Sequence, residues 1–308
     1  MKPLPLLVTS SILITSALLT VGLGRAAAAP IPVNQCGQTL NVKGGNYALT
    51  GNLSCGCETI TISANRIHFN TAGFDVTSTC NVVALPDGIS EVTIDGGGGL
   101  SGGGGIAIGA DRHIEVKNIS VSGAGDLGGN TDGIQLSGAK DVVVNKCTIG
   151  GVFGISGTVD NGTFTNNTIA VGTLAPNGGI VITGRNNLIR DNSISNGTGG
   201  ATNTSIGISV TTNSRVSDNS VSDFYDGVEF SGNSNVVTNN TVTGTGPSQP
   251  QPSMDGIEAE SGAKHNRITK NTVSGNVADL YESNGPPCVN VWRNNTFDTS
   301  GGAVACIH

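Results

Sequence analysis

The stretch YDGVEFSGNSNVVTNNTV, Tyr225–Val242, is written again as MDGIEAESGAKHNRITKNTV, Met254–Val273. Each copy opens with Asp-Gly, a β-branched residue and Glu, and each ends on Asn-Thr-Val. The pair belongs to a longer series. Asn followed by Thr or Ser and an apolar residue recurs at Asn167, Asn192, Asn219, Asn240, Asn271 and Asn295. Cys147 and Ile119 fill the same slot upstream. The steps average about 25 residues, the mark of stacked units that share one core. A second column, Ile134, Ile155, Ile180, Ile208, Val228 and Ile257, always follows Gly. Between the two columns runs a third alternating segment, such as DVVVNKC or SNVVTNN. Three short strands per unit, joined at Gly and Asn turns, predict one coil of a parallel β-helix. Ile and Val then stack inside, and the recurrent Asn forms a ladder at a tight turn.

The rest of the chain agrees with an all-β reading. Among 308 residues, 12% are charged, 4% are aromatic and 47 are Gly, a composition that favours strands and turns over helices. A formal charge of −7 with no basic run excludes nucleic acid as the expected partner. Residues 1–29 read as a secretory signal, with Lys2, an apolar run from Leu4 to Leu23, and small residues Ala26 to Ala29 at the cut. The mature protein is therefore expected to be secreted, extracellular or periplasmic. No second apolar span follows, so no membrane association is expected after cleavage. The expected state is a monomer.

Seven cysteines fit an oxidising compartment. Cys36, Cys55, Cys57 and Cys80 crowd the start, and Cys288 and Cys306 the end, so disulfides are expected to close both ends. Spacing leaves the pairing of the first four open, except that Cys55 and Cys57 make poor mutual partners. Cys147 stands in the Asn column and is expected to be buried and unpaired. The organisation that follows is a cap with first coils over 30–85, repeats over 86–285, and a last coil with its closure over 286–308. Caps are needed because a bare β-helix end exposes unpaired edge groups.

From Asn34 to His308 these features resemble the right-handed parallel β-helix superfamily, in which pectate lyases, polygalacturonases and periplasmic copper-accessory proteins share the coil. The resemblance implies a right-handed, single-stranded solenoid. Within it, NTDGIQL, Asn130–Leu136, resembles the Asn-Thr-Asp motif of polygalacturonases, which makes Asp132 a candidate catalytic residue. The next coil reads GVFGISG where that family has an Asp-Asp pair, and its Gly-His-Gly and Arg-x-Lys motifs do not follow. One carboxylate alone cannot both protonate a leaving group and activate water. Asp132 also lies four coils from Asp226, about 19 Å at the rung spacing.

Crossings from the Gly-Ile column to the Asn column are near-constant in length, whereas those leading to the next Gly-Ile strand vary widely. Loops such as SGAGDLGGNTD and TGTGPSQPQPSM are expected to form a wall, with a polymer-binding groove beside it. The repeated Asp-Gly-x-Glu falls in that groove. Alternation turns Val228, Phe230 and Ile257 inward and Glu229 and Glu258 outward. Carboxylates one rung apart repel, so they call for a shared proton, a cation or wide solvation. Three readings follow. Asp226, Glu229, Asp255 and Glu258 are candidate ligands for Ca²⁺. Asp226 and Asp255 are candidate catalytic carboxylates for a glycosidic bond. The third is an exposed acidic stripe that aids solubility. Tyr225, Arg185, Arg215 and Lys264 are the candidate substrate-binding residues, and spacing selects no single base for a lyase. Phe153, Phe224, Tyr225 and Tyr281 are the aromatics expected near this sheet, with Trp292 in the cap.

The leading expectation is a protein that binds, and by lyase or glycosidase chemistry cleaves, a polysaccharide. The alternative is a non-catalytic surface or binding scaffold. Copper handling ranks last, since copper prefers His, Met or Cys and this chain has four dispersed His and two Met.

Overall fold

The computed structural model describes residues 28–123, 132–172, 178–197, 204–244 and 254–308. These residues wind into a parallel β-solenoid of about ten turns, closed by disulfides near both ends. Each full turn contributes one strand to each of three parallel sheets. The first sheet carries the Gly-Ile column, with Ile134, Ile155, Ile180, Ile208, Val228, Ile257 and Leu280 in unbroken register. The second stacks Val144, Phe164, Ile189, Val216, Val237, Ile268 and Trp292. The third stacks Val121, Ile149, Ile169, Ile194, Val221, Val242 and Val273. All these side chains are essentially inaccessible, so the core is a continuous column of β-branched and aromatic residues.

The expected Asn ladder stands at the corner before the third sheet. Oδ1 of each Asn accepts from the main-chain N–H and from Nδ2 of the Asn one rung earlier, from Asn192 under Asn167 to Asn295 under Asn271. Nδ2 also donates to a carbonyl of the adjoining coil, such as Val216 O from Asn240 at 3.0 Å. Cys147 occupies this column, buried and free, with its N–H donating to Asn167 Oδ1. Burial pushes its thiol up to about 11, so it is inert at neutral pH. A second ladder, absent from the expectations, runs through Asn187, Ser214, Asn235, Asn266 and Asn290 at the corner before the second sheet. Residues that precede the ladder positions, among them Asn166, Asp191, Asp218 and Asn239, adopt φ of 56 to 59°, and Asn and Asp tolerate that turn conformation best.

Glycine in the Gly-Ile column has a packing cause. A Cβ on Gly227 would lie 2.3 Å from Val242 Cγ1 and 2.5 Å from Gly256 O, and Gly256 is equally confined by Val273. The coil turns too tightly there for any side chain.

Cys36 pairs with Cys55, Cys57 with Cys80, and Cys288 with Cys306. Trp292 lies in the last strand of the second sheet, 1% exposed, and donates from Nε1 to Glu282 Oε2 at 2.8 Å. Glu282, also 1% exposed, further accepts from Asn284 and Asn290, so the final coil closes on a satisfied buried carboxylate. Among the described residues no helix is long and apolar enough to cross a membrane. The expected signal segment, apart from its last two residues, and most of the expected wall loops fall outside the described residues; the described chain stops and resumes at 123/132, 172/178, 197/204 and 244/254, always ahead of the first sheet.

Candidate functional site

Register places the repeated carboxylates on neighbouring rungs of the first sheet. Glu229 pairs directly with Glu258, and Tyr281 follows Glu258 on the next rung. Asp226 and Asp255 begin the same strands, Asp226–Phe230 and Asp255–Ala259. Val228 and Ile257 point into the core while Glu229 and Glu258 are half-buried on the outer face, as alternation requires. Ligand oxygens of Asp226, Asp255 and Glu258 all lie within 4.8 Å of one another. Glu229, predicted with them, is outside this trio; its carboxyl is instead a hydrogen-bond neighbour of Glu260.

The electrostatics are those of crowded acids. Burial, then Glu258 and Asp255, push Asp226 up to about 7. Burial, then Glu258, raise Asp255 to about 7. Burial, then the hydrogen bond and charge of Glu260, raise Glu229 to about 8. Glu258 is raised by burial and by Glu260. The polar neighbours are few: Ser209 Oγ reaches Glu229 at 3.5 Å and Ser283 Oγ reaches Glu258 at 3.4 Å. Asp255 is 3% exposed and its carboxylate has no hydrogen bond among the described residues, while Asp226 Oδ1 is buried with no partner. Buried polar atoms without partners are costly, so such oxygens suit an additional group at the site. The trio offers only oxygen, the donor set of a hard cation and not of copper.

The other predicted residues fall elsewhere. Asp132 occupies the column of Asp226 and Asp255 but four rungs away, and Ser156 Oγ donates to its Oδ2. Burial raises its pKa and the Ser156 bond opposes the rise. Arg185 sits at the turn after the strand Gly178–Thr183 and faces Asp160 at 3.6 Å. Arg215 is exposed on the second sheet, paired in register with Val236. Lys264 lies on the exposed turn between the first and second sheets, its main-chain N–H bonded to Asn233. None of these three basic residues shares the strands that bear the carboxylates. Tyr225 immediately precedes Asp226 and is partly exposed, whereas Phe224 is 2% exposed and unable to stack on a ligand. Glu260 was missed, although its two-residue offset from Glu258 already put both on one face.

A shallow cleft of about 450 Å³ on the second sheet gives a useful contrast. Its acids are matched by bases: Glu91 with Arg66, Glu115 with Lys117 and Asp141 with His113. Among the described residues the carboxylate patch on the first sheet has no such partners. The strands Ile206–Val210, Asp226–Phe230, Asp255–Ala259 and Ala278–Glu282 contain no Lys, Arg or His.

Comparison with known proteins agrees with the coil. No curated protein matches the sequence. Among solved structures the chain is similar to the Dettilon tailspike protein (gp208), at 16% identity and a TM-score of 0.62, over 84% of this chain and 62% of that one. It therefore spans less than two thirds of the tailspike's length. It is also similar to PfbA, a surface adhesin of Streptococcus pneumoniae, at 11% identity and a TM-score of 0.47, over 84% and 85% of the two chains. The model of the right-handed beta helix region matches residues 52–205, 104–273 and 153–308, and the chain belongs to that right-handed β-helix family.

Proposed function

We propose that this is an exported β-helix protein that binds a polysaccharide on the outer face of its first sheet. The observation that carries the reading is the carboxylate patch: Asp226, Glu229, Asp255, Glu258 and Glu260 are gathered on two neighbouring rungs, with Tyr281 on the next. Half-buried carboxylates accept sugar hydroxyls, and a regular sheet offers an extended chain repeated contacts. Export is supported by the signal-like residues 1–29 and by three disulfides at the ends.

Cleavage is a second reading, supported by two carboxyls that titrate near neutrality, as acid/base catalysts must. Asp132 takes no part in it, because four rungs at about 4.8 Å each separate it from Asp226.

The test is affinity electrophoresis of the purified protein in gels containing neutral or acidic polysaccharides, run beside Glu258→Gln. Retardation by at least one polysaccharide that is reduced in the variant supports the reading. Equal mobility in every gel overturns it. New reducing ends or unsaturated products in the same mixtures would establish cleavage.

A further inference from the structure

We infer that the patch on the first sheet selects a cationic glycan, a polymer of unacetylated amino sugars whose ammonium groups sit against Asp226, Asp255 and Glu258. The inference rests on the function proposed above and names the substrate class of that site.

A counter-charge is missing from the patch. Oxygens of Asp226, Asp255 and Glu258 lie within 4.8 Å of one another, and Glu229 and Glu260 adjoin them. Among the described residues no ion pair involves any of these five acids. Asp255 is 3% exposed and its carboxylate has no hydrogen bond there, while Asp226 Oδ1 is buried with no partner. Asp132 heads an equivalent strand and is satisfied by Ser156, so an unpartnered carboxylate is not a general feature of this position. Glu258 stands half-buried on the outer face, where a ligand enters.

An ammonium group answers each of these features. It donates three hydrogen bonds and accepts none, which suits carboxylates that only accept. It also brings the positive charge that the patch lacks, whereas a uronate would add a like charge. Rungs repeat about every 4.8 Å, so the ammonium groups of a repeating polymer can meet carboxylates on both acidic rungs.

The surroundings favour a sugar as the carrier of that charge. Ser209 Oγ and Ser283 Oγ stand 3.5 and 3.4 Å from Glu229 and Glu258, which sets hydroxyls beside the acids. Tyr281 follows Glu258 on the next rung and is half-buried. A Cβ on Gly301, its register partner, would lie 2.6 Å from Tyr281 Cδ2, so the ring lies over that glycine and offers apolar surface to a sugar face. A basic peptide finds no such hold. The strands Asp226–Phe230 and Asp255–Ala259 are paired on both sides, which leaves no edge for an added strand.

Isothermal titration in chelator, comparing the glucosamine hexamer with the N-acetylglucosamine hexamer, tests the inference. The two share their hydroxyls and differ in charge. The glucosamine hexamer should bind at least about tenfold more tightly. It should also release protons, because an ammonium beside carboxyls raised to about 7 and 8 favours their ionised form. Heats measured in two buffers of different ionisation enthalpy read that release. Glu258→Gln should remove most of the preference, and Asp141→Asn on the second sheet none of it. Should circular dichroism show that Glu258→Gln does not fold, Glu229→Gln carries the test. Equal affinity for the two hexamers, no proton release, or an unchanged preference in the variant would overturn the inference. A lysine hexamer bound as tightly as the glucosamine hexamer would also overturn it, by showing attraction to charge alone. If a neutral polysaccharide retards the protein in the affinity gels but the hexamers bind equally, the proposed function stands and the amino-sugar preference falls. If nothing retards the protein and neither hexamer binds, both fall.

Discussion

Replacing Asn240 by alanine removes the most connected link of the ladder. Its Nδ2 donates to Val216 O at 3.0 Å, Thr238 O at 3.2 Å and Asn271 Oδ1 at 3.0 Å. Its Oδ1 accepts from Asn219 N and Nδ2, both at 3.0 Å. Alanine would leave the buried Asn219 N–H without an acceptor and deprive Val216 O of this donor. Each orphaned buried group costs about 1–3 kcal/mol, so the expected loss is about 3–4 kcal/mol. At roughly 2–4 °C per kcal/mol for larger domains, the midpoint should fall by about 10 °C. Asn295→Ala is the matched control, because Asn295 is only partly buried and ends the column. It should cost about half as much, because water reaches the groups it exposes. Urea denaturation of both variants, followed by circular dichroism, reads the difference. A loss below about 1 kcal/mol for Asn240→Ala, or equal losses for the two, would refute the ladder as a source of stability.

Three further outcomes are expected. In chelator, thermal stability should fall as pH rises from 5 to 9: the folded values of Asp226, Glu229 and Asp255, about 7, 8 and 7, lie above the ordinary 3.8 to 4.5, so their contribution is complete at low pH and lost through the folded pKa range. A melting profile that is flat or rises with pH would contradict this. Gly227→Ala should destabilise by about 2–3 kcal/mol through its clash with Val242 and Gly256, whereas Gly285→Ala, with open space around it, should be nearly neutral in the same denaturation assay. Cys147→Asn should stabilise by about 1 kcal/mol, since an amide replaces the weak thiol bond to Val116 O and continues the ladder; a lower denaturation midpoint would show that the wider side chain does not fit.

How much the sequence disclosed depended on repetition. Ile134, Ile155 and their successors were legible because every coil restates the same core position, and Asn167 to Asn295 because a constant triplet marks the turn. The second ladder has a looser signature: Asn187, Asn235, Asn266 and Asn290 each stand two residues before a buried Ile, Val or Trp, but Ser214 interrupts the series and the intervening residue varies. The Asp-Gly-x-Glu pair located the carboxylate patch, since alternation fixes which side chains leave the core. It did not say which oxygens converge. Glu229 and Glu258 look equivalent in the two copies, yet Glu260 has Ser231 as its counterpart and draws Glu229 away from the trio. The positions of Arg185, Arg215 and Lys264 relative to the patch were less legible for a related reason. Spacing along the chain gives the coil of a residue, whereas the corner or sheet it occupies depends on where the chain bends.

The most direct test of polysaccharide binding on the first sheet is a crystal structure grown with an oligosaccharide cut from whichever polysaccharide retards the protein. A sugar lying on the outer face of that sheet, against Glu229, Glu258 and Tyr281, is the expected result. An oligosaccharide bound on another sheet would contradict it.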